Sequence, residues 1–216
     1  MDDAGTQSGV STVSDARISG DVGVVVSGGA GDVVSVAADG PVAGTARRPV
    51  GPGRDQQRAK VYAAEHLVHR MFDRSATSPA VEIAGSRLTL PPERRFGDLD
   101  GVRTYTDRVL ALNWVRRSWP RAAIPVRVRE RSGARQAHYE REGACMAVPT
   151  RRTGSDWALR ELVILHELAH HLADDGEVPH GGRFVDRLLA LVDGVVGPEA
   201  ALVLRITMLD LGVRVG

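Results

Sequence analysis

The 216-residue sequence has one cysteine, one lysine and only three residues each of Trp, Tyr and Phe, and its charges nearly cancel to +1. Cys145 alone permits no intramolecular disulfide and no multi-cysteine zinc ribbon. It reads as a small buried apolar residue in a strand rather than a reactive thiol. With so little net charge, no strong field points to nucleic acid, and a nucleic-acid partner is not expected. The longest apolar runs, such as residues 22–26 and 162–165, are far too short to span a bilayer, so no membrane association is expected. The Met-Asp-Asp opening has neither a basic n-region nor an apolar h-region, and a cytoplasmic protein is the expectation.

What charge there is lies unevenly. Residues 1–46 hold six Asp against one Arg, a net of −5, so residues 47–216 carry +6. Residues 1–55 are rich in Gly, Ser, Val, Ala and Asp, with no aromatic residue and no helical period. A segment with so little to bury cannot offset the entropy of ordering, and a disordered tail is expected there. The folded domain is expected over residues 56–216.

Within that domain, Val61, Ala64, Leu67, Val68 and Met71 recur at helical spacing over residues 56–74. Residues 81–83 and 87–90, separated by Gly85-Ser86, read as a short hairpin. A second helix is expected over 101–118, stopped by Pro120. Three strands follow at 125–130, 136–141 and 144–148, whose alternation suits a mixed or antiparallel sheet. A helix over 157–173, capped by Ser155 or Asp156, is apolar nearly all round and must be central. Residues 181–192 and 198–211 read as closing helices, the second with Pro198 in its first turn. The order predicts an α+β domain, a sheet packed on a buried helix with additional helices.

That buried helix contains His166-Glu167-Leu168-Ala169-His170. Four-residue spacing places both imidazoles on one face, one turn apart, where they can grip one ion. Glu167 follows the first ligand and is aimed beside the ion, as a general base must be. Zinc on three protein ligands keeps a position open for water. An ordinary helix with a solvated His and Glu face is the bland alternative. It is disfavoured because two His and a Glu inside a buried helix are costly unless something satisfies them.

For the third ligand the candidates are His171, Asp174, Asp175, Glu177 and His180. His171 points about 100° away from His170, and Asp174 has drifted about 80° from His166 around a straight helix. His180 is favoured, because the turn over 174–179 can reverse the chain and Gly181 and Gly182 permit close backbone approach. An oxyanion donor is also needed. Tyr139, His138, Arg183 and Tyr105 are candidates, with Tyr139 preferred for its place in the strands before the helix. Residues 144–149 suit a sheet edge onto which an extended peptide adds as a strand. Trp114, Trp119 and Trp157 read as core, and the Arg-rich stretch over 127–135 as a solvated strand face.

The run His166-Glu167-Leu168-Ala169-His170-His171, followed by His180-Gly181-Gly182-Arg183-Phe184, resembles the zincin pattern of SprT-like and WLM-like metallopeptidases. It is most similar to an actinobacterial family of metallohydrolases with no assigned substrate, over about residues 56–215. The resemblance implies a zincin-like, minimal metallopeptidase fold, with Zn2+ on His166, His170 and His180 and Glu167 as general base. Two departures matter. The Cys-rich ribbon common in SprT-like proteases that act on DNA–protein crosslinks is absent. The longer metzincin signature is absent too, since Ala173 and Gly176 stand where it needs Gly and His.

The reading that follows is a zinc metallopeptidase with a peptide or protein substrate. A zinc amide hydrolase of a small molecule is the first alternative. A non-catalytic, zinc-stabilised regulatory or interaction module is the second.

Overall fold

The computed structural model describes residues 55–75, 80–83, 85–131, 136–150 and 158–216. The expected disordered tail therefore lies outside the described residues except for Asp55. So do Trp157 and the expected caps Ser155 and Asp156. Among the described residues the architecture is α+β, with six α-helices and two small sheets.

The first helix, α1, spans Arg58–Ser75 and buries Val61, Ala64, Val68 and Phe72 along one stripe. The hairpin β1 (Ala80–Ile83) and β2 (Ser86–Thr89) is antiparallel, with Val81 opposite Leu88. Next comes α2 (Leu99–Ala111), which starts two residues before the expected Gly101 because the Asp98 carboxylate accepts from the Gly101 amide at 2.8 Å. The single helix expected to run to Ser118 is broken at Leu112, whose extended backbone separates α2 from α3 (Asn113–Ser118). The break is stabilised locally, since Arg116 donates to the Leu110 carbonyl at 3.2 Å. A 3₁₀ turn over Pro120–Ala123 then leads to the strands.

Those strands are β3 (Arg127–Glu130), β4 (His138–Glu140) and β5 (Cys145–Val148), in spatial order β3-β5-β4. The sheet is mixed: β3 and β5 are parallel, whereas β4 and β5 are antiparallel. This overturns the placing of residues 144–149 at a sheet edge. With partners on both sides and all four residues buried, β5 is the central strand, as its Cys-Met-Ala-Val composition suits. The edge beside the site belongs to β4.

The central helix α4 spans Glu161–His171, and all its residues except His170 are buried. It begins four residues later than expected from its apolar pattern. Arg160 is instead extended and bridges Arg95, through Phe96 N to Leu159 O at 2.9 Å and Glu161 N to Arg94 O at 3.0 Å. Glu93 serves as a cap from 69 residues away, its Oε1 accepting from the Leu162 amide at 3.2 Å. The same carboxylate pairs with Arg160, and Glu161 accepts from Arg94 and from the Tyr105 hydroxyl. The start of α4 is thus fixed by side chains no local pattern contains. Finally, α5 (Gly182–Val195) and α6 (Pro198–Asp210) close the core. No helix of the described residues is long and apolar enough to cross a membrane.

Candidate metal centre

Helical spacing on α4 brings His166 and His170 together, with their Nε2 atoms 3.2 Å apart. Past the end of α4 the chain turns through Gly176, at φ +78°, and returns His180 to the same point. The turn is held by Glu177, which accepts from the Asp174 amide and takes both oxygens to Arg187, itself tied to the Ala169 carbonyl. One ring nitrogen from each of His166, His170 and His180 then lies within 4.8 Å of the others, close enough to hold a metal ion.

The second ring nitrogens of His166 and His180 are occupied. Glu65 Oε1 meets His166 Nδ1 at 2.7 Å, and Asp55 Oδ2 meets His180 Nδ1 at 2.6 Å. A carboxylate at Nδ1 keeps that nitrogen protonated and turns the Nε2 lone pair inward, as in carboxylate–histidine–metal triads. His180 Nε2 is buried with no hydrogen-bond partner, which is costly for a polar atom unless a cation receives it. The three rings rest on Phe184, stacked against His170 at 4.4 Å between centroids and edge-on to His166 and His180. This explains the Phe of the His-Gly-Gly-Arg-Phe segment. Gly182 serves elsewhere: a Cβ there would stand 2.2 Å from the Gly216 carbonyl oxygen, so Gly182 makes room for the C-terminal residues.

The electrostatics differ among the three rings and Glu167. Burial pulls the His166 pKa down, but the charge and hydrogen bond of Glu65 outweigh it and the ring is raised overall. His170 is strongly lowered by burial and by the other two imidazoles, and His180 is lowered by burial against the pull of Asp55. Both therefore present neutral, ligating rings. Burial first, with Glu65 adding, pushes Glu167 up to about 7 against the opposing effects of His166 and the Tyr139 backbone amide. Its Oε2 is buried and unpartnered, and its side chain lines the cavities on both sides of the histidines.

The remaining candidates for third ligand are engaged elsewhere. His171 is held between the Tyr139 hydroxyl at 2.8 Å and the Arg121 carbonyl at 3.0 Å. Asp175 pairs with Arg141, and Glu177 with Arg187. Asp174 lines the neighbouring cavity without joining the cluster.

Of the candidate oxyanion donors, His138 and Tyr139 line the cavity that also holds Glu167, His170 and His180, but each is engaged by another side chain. Tyr105 is bonded to Glu161 and His138 to Glu140, while Arg183 lines a hollow on the far side of the turn. Tyr139 is close in backbone but not in function of its hydroxyl, which lies between His171 and Arg121. The tyrosine at the cluster is Tyr62, with its ring 5.2 Å from His166 and 5.4 Å from His180. Burial, Glu167 and Glu65 push its phenol up to about 12, so it stays a donor. Tyr62, Glu65 and Asp55 were not singled out as site residues by sequence. For the first two a signal existed: positions 62, 65, 66 and 69 place Tyr, Glu and two His along one side of α1. Asp55 had been assigned to the tail.

Compared with models of protein families, with curated proteins and with solved structures, the chain matches none. The functional reading rests on the site itself.

Proposed function

We propose that this chain is a zinc-dependent hydrolase of the zincin type, cleaving peptide bonds with one zinc on His166, His170 and His180. The observation that carries this reading is the set of three inward-facing imidazoles, two of them backed by carboxylates, beside the unpartnered oxygen of Glu167. Three neutral nitrogens and an adjacent carboxylate that is not itself a ligand are the donor set of a catalytic zinc site.

When bound, the ion supplies Lewis acidity, lowering the pKa of water from near 16 to about 7 and polarising a carbonyl. Glu167 takes a proton from that water and returns it to the departing amine; a carboxyl near 7 is suited to both. Tyr62 is preferred to Tyr139 for the oxyanion role because its ring lies against two of the three histidines, with Arg58 hydrogen-bonded to its hydroxyl. The β4 edge, whose Tyr139 amide faces Glu167, is where an extended peptide adds as a further strand.

Elemental analysis tests the reading. One zinc per chain is expected in the native protein and in Glu167→Gln, and its loss in His166→Ala and His180→Ala. Peptide turnover is expected in the native protein and should vanish in Glu167→Gln. A native chain that takes up no zinc, or a Glu167→Gln variant that still turns over peptide, would overturn it.

A further inference from the structure

Two cavities meet at the site, and they differ in kind. One, of about 360 Å³, lies toward β4 and the turn after α4 and is lined by charged groups such as Arg58, Arg141 and Asp174. The other, of about 470 Å³, lies between α1 and the segment that enters β4. Tyr62 and Glu167 line both, so the reacting bond sits at their junction.

We propose that the α1-side cavity is the recognition pocket for one bulky apolar group, foremost an aromatic side chain, adjoining the bond that is cleaved. Its assignment as a substrate subsite rests on the peptidase reading; its affinity for an apolar group does not. The walls are Ala63 of α1 and Ala137 ahead of β4, and the floor is Val163, one turn before His166 on α4. The two alanines leave the space open, since larger side chains at 63 and 137 would fill it. His66, His69 and Gln136 also line it. Burial, with Arg160 and His66 adding, holds His69 neutral down to about 2, so it offers a ring face rather than a charge.

The lining carries no Arg or Lys, and its two carboxylates, Glu65 and Glu167, belong to the metal site. An acidic group would enter against both of them without a counter-charge. A basic group would lose its hydration and find Glu65 already held by His166, leaving only the Glu167 oxygen to pair with. An apolar ring loses nothing and buries its area, and the volume is within the range of roughly 300–1,000 Å³ that accepts compact organic groups.

The test uses metal-free, full-length protein with labelled methyl groups, titrated with N-acetyl-phenylalaninamide and with the corresponding glycine, aspartate and arginine amides. The phenylalanine probe is expected to shift the Ala63, Ala137 and Val163 methyl signals with at least tenfold tighter binding than the other three. Ala63→Phe, at an exposed helix position that disturbs no core, should abolish that advantage. Equal response to all four probes, tighter binding of a charged probe, or shifts unaffected by Ala63→Phe would overturn the inference. Selective binding by a protein that takes up no zinc would leave the pocket standing and remove the peptidase reading. Zinc uptake and turnover without aromatic preference would do the reverse.

Discussion

Glu65 and His166, 101 residues apart in sequence, meet at 2.7 Å between Oε1 and Nδ1 inside the protein. The contact couples α1 to α4 and orients the His166 ring toward His170 and His180. Asp55 does the same for His180 at 2.6 Å. Neither carboxylate is in the three-His cluster, yet each sets the tautomer and orientation of a ring that is.

Removing either carboxylate should therefore weaken metal binding without removing a ligand. Glu65→Gln and Asp55→Asn are each expected to lower zinc affinity about 10- to 100-fold. Competition with a chromophoric chelator would measure this, and unchanged affinity in both variants would deny these carboxylates a role in aiming the rings.

The two tyrosines should separate in their effects. Tyr62→Phe is expected to reduce kcat by about 10²- to 10³-fold with zinc content intact, as for loss of one oxyanion donor. Tyr139→Phe removes a hydroxyl shared by His171 and Arg121, and should cost about 1 kcal/mol of stability with activity largely kept. Steady-state kinetics beside denaturant melts would expose the opposite pattern if the roles were reversed.

Arg160 is 2% exposed and depends on Glu93, which also caps α4. Glu93→Ala leaves that guanidinium buried without its main partner and should destabilise the fold by about 3–5 kcal/mol. A urea-midpoint change corresponding to less than about 1 kcal/mol would show that water or Asp73 replaces the pairing.

His69 gives a pH dependence with a definite sign. Its folded pKa is lowered to about 2 from an ordinary value of 6.5, by burial first and then by Arg160 and His66. The unfolded chain therefore binds a proton that the folded one refuses, and stability falls as pH drops below about 6.5. His69→Gln should flatten that slope between pH 6.5 and 5 in denaturant melts. An unchanged slope would place the acid sensitivity elsewhere.

The sequence by itself determined the central helix and the placing of its two histidines. Helical periodicity fixed His166 and His170 on one face, and the apolar residues around them required burial. It also carried the α+β order and the return of His180 after a turn. Local spacing suffices for these, because helix geometry and a short glycine-containing turn act within about fifteen residues.

Only the tertiary structure decided what stands behind and around that helix. The late start of α4 depends on Arg94–Phe96 and Glu93. The parallel pairing of β3 with β5 puts β4 at the edge, a choice that alternation cannot make because it is the same for either neighbour. Glu65, Asp55 and Tyr62 reach the histidines from α1 and the residues before it, across more than one hundred positions. Such contacts are set by how helices dock, and no residue spacing along one segment encodes the docking of another.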